Sequence, residues 1–185
     1  MDDPAQAEDR INSFALVGYI PGALGEFITE LRRELVSDCV AQSHVTILPP
    51  RPLSADPESA VQDLRVRVAE FSPFEIEMPH IRVFEQSSVV FAEVQRGRSD
   101  LHELHDAFNT GVLHFDEPWH YHPHVTLAQG LPPEAVCEVY ELARRRWTES
   151  APTHSCIIDR LTFVQNTAAN RWLDLEDYEL RGVRI

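Results

Sequence analysis

Lysine is missing from this 185-residue chain. All 16 basic residues are arginine, and 30 acidic ones bring the formal net charge to −14. Long nucleic acids are gripped through several phosphate contacts from basic side chains, and a strongly acidic protein repels a polyanion. That balance excludes a nucleic-acid-coating protein. It leaves room for a small phosphorylated ligand or an RNA end, because arginine makes planar, bidentate contacts with phosphate. Cysteine is scarce: Cys39, Cys137 and Cys156 are scattered, odd in number and form no CxxC pair. They read as reduced small hydrophobes rather than a disulfide framework. No run of roughly 18 apolar residues occurs, so no transmembrane helix and no membrane partner are expected. Residues 1–9 are acidic and polar, the opposite of a secretory signal, and the expected location is cytoplasmic. Low-complexity tracts and short-period repeats are absent as well.

What is present suits one folded unit. Apolar residues make up 43% of the chain and charged residues 25%, ordinary values for a globular domain of a size that buries a substantial core. Residues 12–20 read as a strand stopped by Pro21 and Gly22. Leu24, Phe27, Ile28, Leu31 and Leu35 then follow helical spacing over about 22–37. A strand ending at Pro49 and Pro50 comes next, and Asp56-Pro57 opens a second helix with Val61, Leu64 and Val68 as its apolar stripe. Strands are expected at about 74–84 and 88–94. The scheme then repeats: a helix over about 99–109, a strand, and a helix from Pro132-Pro133-Glu134 to about Trp147 with Val136, Val139, Tyr140 and Ala143 inward. Strands at about 154–165 and 171–180 close the chain. No linker-like composition interrupts residues 1–185, so the expectation is a single domain made of two pseudo-equivalent lobes.

The tripeptide His-Val-Thr occurs twice, as His44-Val45-Thr46 and as His124-Val125-Thr126. Both copies are flanked by apolar or β-branched residues and lie beside proline. Alternate side chains of a strand share a face, so the His and Thr of each copy point together, while Val45 with Leu48, and Val125 with Leu127, help seal the packing around them. Two such faces turned toward one another supply two imidazoles and two hydroxyls. Imidazole changes protonation near neutral pH, so one ring can accept a proton while the other donates one.

Two His-x-Thr motifs in strands, each followed by a helix, resemble the two-histidine (2H) phosphoesterase superfamily. The segments from His44 to Pro52 and from Tyr121 to Ala128 are similar to its bacterial 2′-5′ RNA ligase-like branch. The resemblance implies an α+β, bilobal fold, in which antiparallel sheets of two pseudo-symmetric lobes surround a central cleft with helices outside. It further implies cofactor-free, metal-independent hydrolysis of 2′,3′-cyclic phosphates or 2′-5′ phosphodiesters, reversible as ligation, on a small nucleotide or RNA end. By extension of the motif, His44, Thr46, His124 and Thr126 form the catalytic set. The threonines would hydrogen-bond the non-bridging phosphate oxygens, with His124 as base and His44 as acid in hydrolysis.

Around this set, Arg51 reads either as a phosphate contact or as solvated charge. Tyr121 and Trp119 read as stacking partners for a base or as packing residues. Family members often carry a basic residue shortly after the second motif, whereas this chain has Ala128-Gln129 there. Two other readings stand beside the enzyme. One is a nucleotide-binding module without turnover. The other is a metal-dependent hydrolase built on His120, His122 and His124, with His114 or Asp116 as further ligands.

Overall fold

The computed structural model describes residues 9–150 and 153–183; the acidic stretch at 1–8 lies outside them. Strand β1 (Arg10–Tyr19) is the most apolar segment of its sheet. After it, Pro21 and Gly22 turn the chain into α1 (Gly22–Leu35), whose Gly25, Ile28, Leu31 and Arg32 face the interior. Strand β2 (His44–Arg51) returns antiparallel to β1. It contains Pro49 and Pro50, which an edge strand tolerates because one side of it needs no ladder donors. At α2 (Pro57–Arg67) the Asp56 carboxylate accepts from the Ser59 backbone N–H at 3.1 Å, with proline in the first turn, as the sequence predicts.

Two of the expected strands turn out to be pairs. The run 74–84 divides into β3 (Phe74–Glu77) and β4 (His80–Phe84), and the run 154–165 into β7 (Ser155–Ile158) and β8 (Arg160–Thr167). The breaks fall at Met78-Pro79 and at Asp159, and across each the chain changes partners. β3 pairs with β7 in a two-stranded ladder, whereas β4 pairs with β5 (Val89–Glu93) and β8 pairs with β1 and with β9 (Trp172–Glu179). Proline at the first break cannot continue a central ladder. Trp147 secures both regions: its indole N–H donates to the Met78 carbonyl at 3.0 Å and its ring stacks on His154.

The result is a four-stranded antiparallel sheet of order β2-β1-β8-β9, a three-stranded one of order β4-β5-β6, and the β3-β7 ladder. Strand β6 (His124–Ala128) follows α3 (Arg98–Phe108), and α4 (Val136–Ser150) begins after a short 3-10 turn at Pro133–Ala135. Helix α1 packs against β6 and α4, α3 packs against β2, and α4 covers β4 and β5. One continuous core joins the sheets, running from Phe14, Leu16 and Ile28 through Val45 and Ile47 to Val90, Val125 and Leu127. Among the described residues, no helix is long and apolar enough to cross a membrane.

Candidate active site

The two motif strands, β2 and β6, are both edge strands, and they lie against one another. Each opens with its histidine. Val45, Ile47, Val125 and Leu127 are fully buried, while the alternating His44, Thr46, His124 and Thr126 are half-buried. The pleat therefore sends the valine side of each motif into the core and the His-x-Thr side into the opening between the sheets. Neither threonine hydroxyl bonds to another described residue, so both remain available as donors to a ligand.

Both imidazoles are held in the same way. His44 Nδ1 lies 2.7 Å from the Gln42 carbonyl, and His124 Nδ1 lies 2.6 Å from the His122 carbonyl. A carbonyl only accepts, so Nδ1 carries the proton in each ring and the neutral tautomer leaves Nε2 as the basic nitrogen. Burial lowers the His44 pKa to about 4; the bond to Gln42 opposes this, while the Arg32 and His124 charges add to it. Burial also lowers His124, with His122 contributing and the His122 carbonyl bond opposing. Both rings are thus biased toward the neutral form in the free protein, His44 strongly.

The walls differ in character. Beside His44, the face of the four-stranded sheet carries Ala15, Val17 and Val164, with Tyr19 and Trp172 packed on them, a small apolar cluster separate from the core. Tyr19 sits edge-on to His44 and donates its hydroxyl to Asp174 at 2.6 Å; Thr162 does the same to Asp177 at 2.7 Å. Beside His124, Phe84 stacks on Phe91 at 3.9 Å, and both present to the His124 ring at 5.0 and 5.3 Å. Arg82 and Glu93 pair on the same face. None of these wall residues is singled out by the sequence. Their alternation along β1, β4 and β5 is visible there, but only the ladder registers bring them beside the histidines.

Of the other candidates, Arg51 and Tyr121 are held in the interior. Arg51 does not face the opening: its side chain is 1% exposed, and four of its five donors are taken. It bonds Asn109 Oδ1 at 2.7 Å, the Leu113 carbonyl at 3.0 Å, the Pro49 carbonyl at 2.9 Å and, closest of all, the Glu117 carboxylate. This is an interior strut rather than a phosphate contact. Tyr121 is packed as well. Its ring stacks on His105 at 4.1 Å, and its hydroxyl donates to the Thr46 carbonyl at 2.7 Å. His105 in turn reaches Glu117. The chain Thr46–Tyr121–His105–Glu117–Arg51 therefore ties the segment leading into the second motif to the strand of the first. Trp119 is 72% exposed on that segment. The alternating histidines do not converge, with His120 exposed and the His122 and His124 rings 6.3 Å apart. Among the described residues no three His, Cys, Asp or Glu side chains come together as a metal site.

Facing edge strands, each opened by a half-buried His-x-Thr with Nε2 unprotonated, define a two-histidine cleft protein of mixed helices and antiparallel sheets. Residues 20–170 match the 2′-5′ RNA ligase superfamily, and the chain belongs to that family. E. coli LigT complexed with ATP has a similar fold, with TM-score 0.63 at 18% identity over 93% of this chain and 97% of that one. A crystal structure of a phosphoesterase gives 0.59 at 17% identity over 93% and 98%. Kluyveromyces marxianus Usb1 gives 0.56 at 11% identity over 89% and 97%. Identities this low speak for the fold alone. None of the curated proteins compared by sequence matches the chain.

Proposed function

We propose that this chain is a metal-independent phosphodiesterase that opens a 2′,3′-cyclic phosphate, or cleaves a 2′-5′ phosphodiester, on a small nucleotide or RNA end. The two lobes would each contribute one His-x-Thr motif. The observation that carries the reading is the matched pair of half-buried imidazoles on facing strands, with Nδ1 of each donated to a carbonyl. E. coli LigT, which shares the fold, has been crystallised with 3′-AMP and with phosphate, and ligands of that size suit an acidic, lysine-free protein.

In the hydrolysis so proposed, Nε2 of one histidine removes a proton from water. The water oxygen bonds to phosphorus, and the other imidazolium protonates the departing ribose oxygen. Thr46 and Thr126 donate to the non-bridging oxygens as charge builds there. The electrostatics favour His44 as base and His124 as acid, the reverse of the sequence-based expectation. The ring with the lower pKa is the one already neutral when its partner is charged, and His44 is held near 4. Ligation would run the same steps backwards with the roles exchanged.

The test is turnover of the four nucleoside 2′,3′-cyclic monophosphates in excess EDTA. His44→Ala and His124→Ala are each expected to lower kcat by about 10²–10⁴-fold while leaving the fold intact. Activity that disappears with the chelator, or survives in either variant, contradicts the mechanism.

A further inference from the structure

Tyr121 is withdrawn from the opening by its packing, yet its hydroxyl ends on the first motif, donating to the Thr46 carbonyl at 2.7 Å. In sequence it stands three residues before His124 and next to His122, whose carbonyl accepts from His124 Nδ1 at 2.6 Å. One phenol therefore joins the strand of the first motif to the segment that orients the second imidazole. No ladder does this. β2 and β6 are edge strands of different sheets and face one another without pairing. Apolar packing between them is non-directional, whereas a hydrogen bond of 2.7 Å fixes both a distance and a direction.

The donor is itself held in place. Its ring lies flat on His105, with 4.1 Å between centroids and 7° between planes. His105 Nε2 is 3.0 Å from the Glu117 carboxylate, and Glu117 pairs with Arg51, the last residue of β2. Arg51 also reaches the Leu113 carbonyl and Asn109 Oδ1, while Asn109 grips both the N–H and the carbonyl of Phe115. Residues 109–121 are thus stapled to β2 at Arg51 and again at Thr46. Burial, with the Glu117 charge adding to it, raises the Tyr121 pKa, so the phenol remains a donor. Pro123 stiffens the short step from Tyr121 to His124.

We propose that Tyr121 is a positioning residue of this site: its hydroxyl sets the separation of the two imidazoles by tying Thr46 to the segment that carries His124. The inference rests on the phosphodiesterase reading for its effect on turnover, and on the hydrogen bonds alone for its effect on the strands. Proton transfer on both sides of one phosphorus needs both Nε2 atoms in place at once. A misplacement of about 1 Å costs about 10²-fold in rate. Loss of alignment falls on the transition state, so it lowers kcat rather than ground-state binding.

The test is Tyr121→Phe, which keeps the ring and its stack and removes only the hydroxyl. Kinetics on a nucleoside 2′,3′-cyclic monophosphate are measured with this substitution alone and in the His124→Ala background. Backbone 15N relaxation dispersion is recorded at residues 44–48 and 124–128 of the full chain. Alone, Tyr121→Phe is expected to lower kcat about 10–10²-fold with KM within about twofold. In the His124→Ala background it is expected to change kcat by less than about twofold, because no pair remains to be aligned. Microsecond-to-millisecond exchange is expected at both motifs in Tyr121→Phe and not in wild type. An unchanged kcat, a loss confined to KM, or an equal loss in the His124→Ala background overturns the proposal; a merely structural role lowers activity in both backgrounds alike. If Tyr121→Phe does not fold, His105→Phe serves the same comparison. It keeps a ring against Tyr121 but drops the link to Glu117, and kcat is expected to fall about 2–10-fold. A wild type without turnover sinks the phosphodiesterase reading instead. The relaxation data then decide the positioning, which quiet amides in Tyr121→Phe overturn.

Discussion

His44 and His124 reach the same tautomer by the same local device, a hydrogen bond from Nδ1 to the carbonyl two residues earlier. Equal geometry does not make them equal acids, and the difference sets a pH profile. The base must be neutral, so kcat/KM is lost as pH falls through about 4, the lowered value of His44. The acid must hold its proton, so activity is also lost as pH rises through the His124 pKa, which burial sets below 6.5. The expected kcat/KM curve on a cyclic phosphate is a bell with its maximum between these limits. A maximum at or above pH 7 would contradict the assignment. Folding stability follows the same groups: the unfolded chain takes up these protons near 6.5 and the folded one only lower, so stability declines as pH drops across that interval. Circular dichroism at each pH separates that loss from the catalytic one. The two buried arginines are expected to diverge in the opposite sense from their appearance. Arg51→Met leaves Glu117 without its cation and is expected to cost about 3–5 kcal/mol in denaturant unfolding. Arg32, 3% exposed on α1, has its Nε and Nη1 enclosed without a hydrogen-bond partner, so Arg32→Met is expected to cost no stability.

At the scale of elements, α1 and the turn that follows β1 are held at a distance that only glycine allows. A Cβ on Gly25 would collide with the Ile20 carbonyl oxygen, and the Gly25 carbonyl is the acceptor for Ser43. Gly25→Ala is therefore expected to push α1 outward and lower stability by about 1–3 kcal/mol. Turnover should fall as well, because the clasp on Ser43 positions His44; an unchanged Tm would contradict the close approach. The helices are legible in the sequence because their signals are local: Asp56-Pro57 at the start of α2, and the spacing of Leu24, Ile28 and Leu31 along α1. The strand runs 74–84 and 154–165 mislead because both halves of each are apolar. Periodicity records burial but not which neighbour supplies it. Pro79 is the signal for the first break; Asp159 offers a weaker one for the second.

For the molecule as a whole, the charge of −14 opposes any anionic substrate before contact. Screening weakens that repulsion as the Debye length shrinks from about 30 Å in 10 mM salt to about 8 Å in 150 mM. The expected outcome is a kcat/KM on a mononucleotide cyclic phosphate that rises about 2–10-fold over this range. A decline would mean that attraction within the site outweighs the global repulsion. The same repulsion grows with the charge of the substrate, so longer oligonucleotides are expected to bind more slowly than mononucleotides.

The sequence by itself determined the duplicated His-Val-Thr, the strand face each copy presents, the helices and the acidic, lysine-free surface, because these depend on residue identity and on neighbours within a turn or a pleat. Only the tertiary structure decided which residues stand around those histidines. The phenylalanine pair beside His124, the apolar cluster beside His44, the interior role of Arg51 and the unpartnered burial of Arg32 all arise from ladder registers and helix packing between distant segments. Burial and charge balance belong to such contacts rather than to the residues themselves. An arginine spent on a carboxylate and an arginine left idle carry the same letter in the chain.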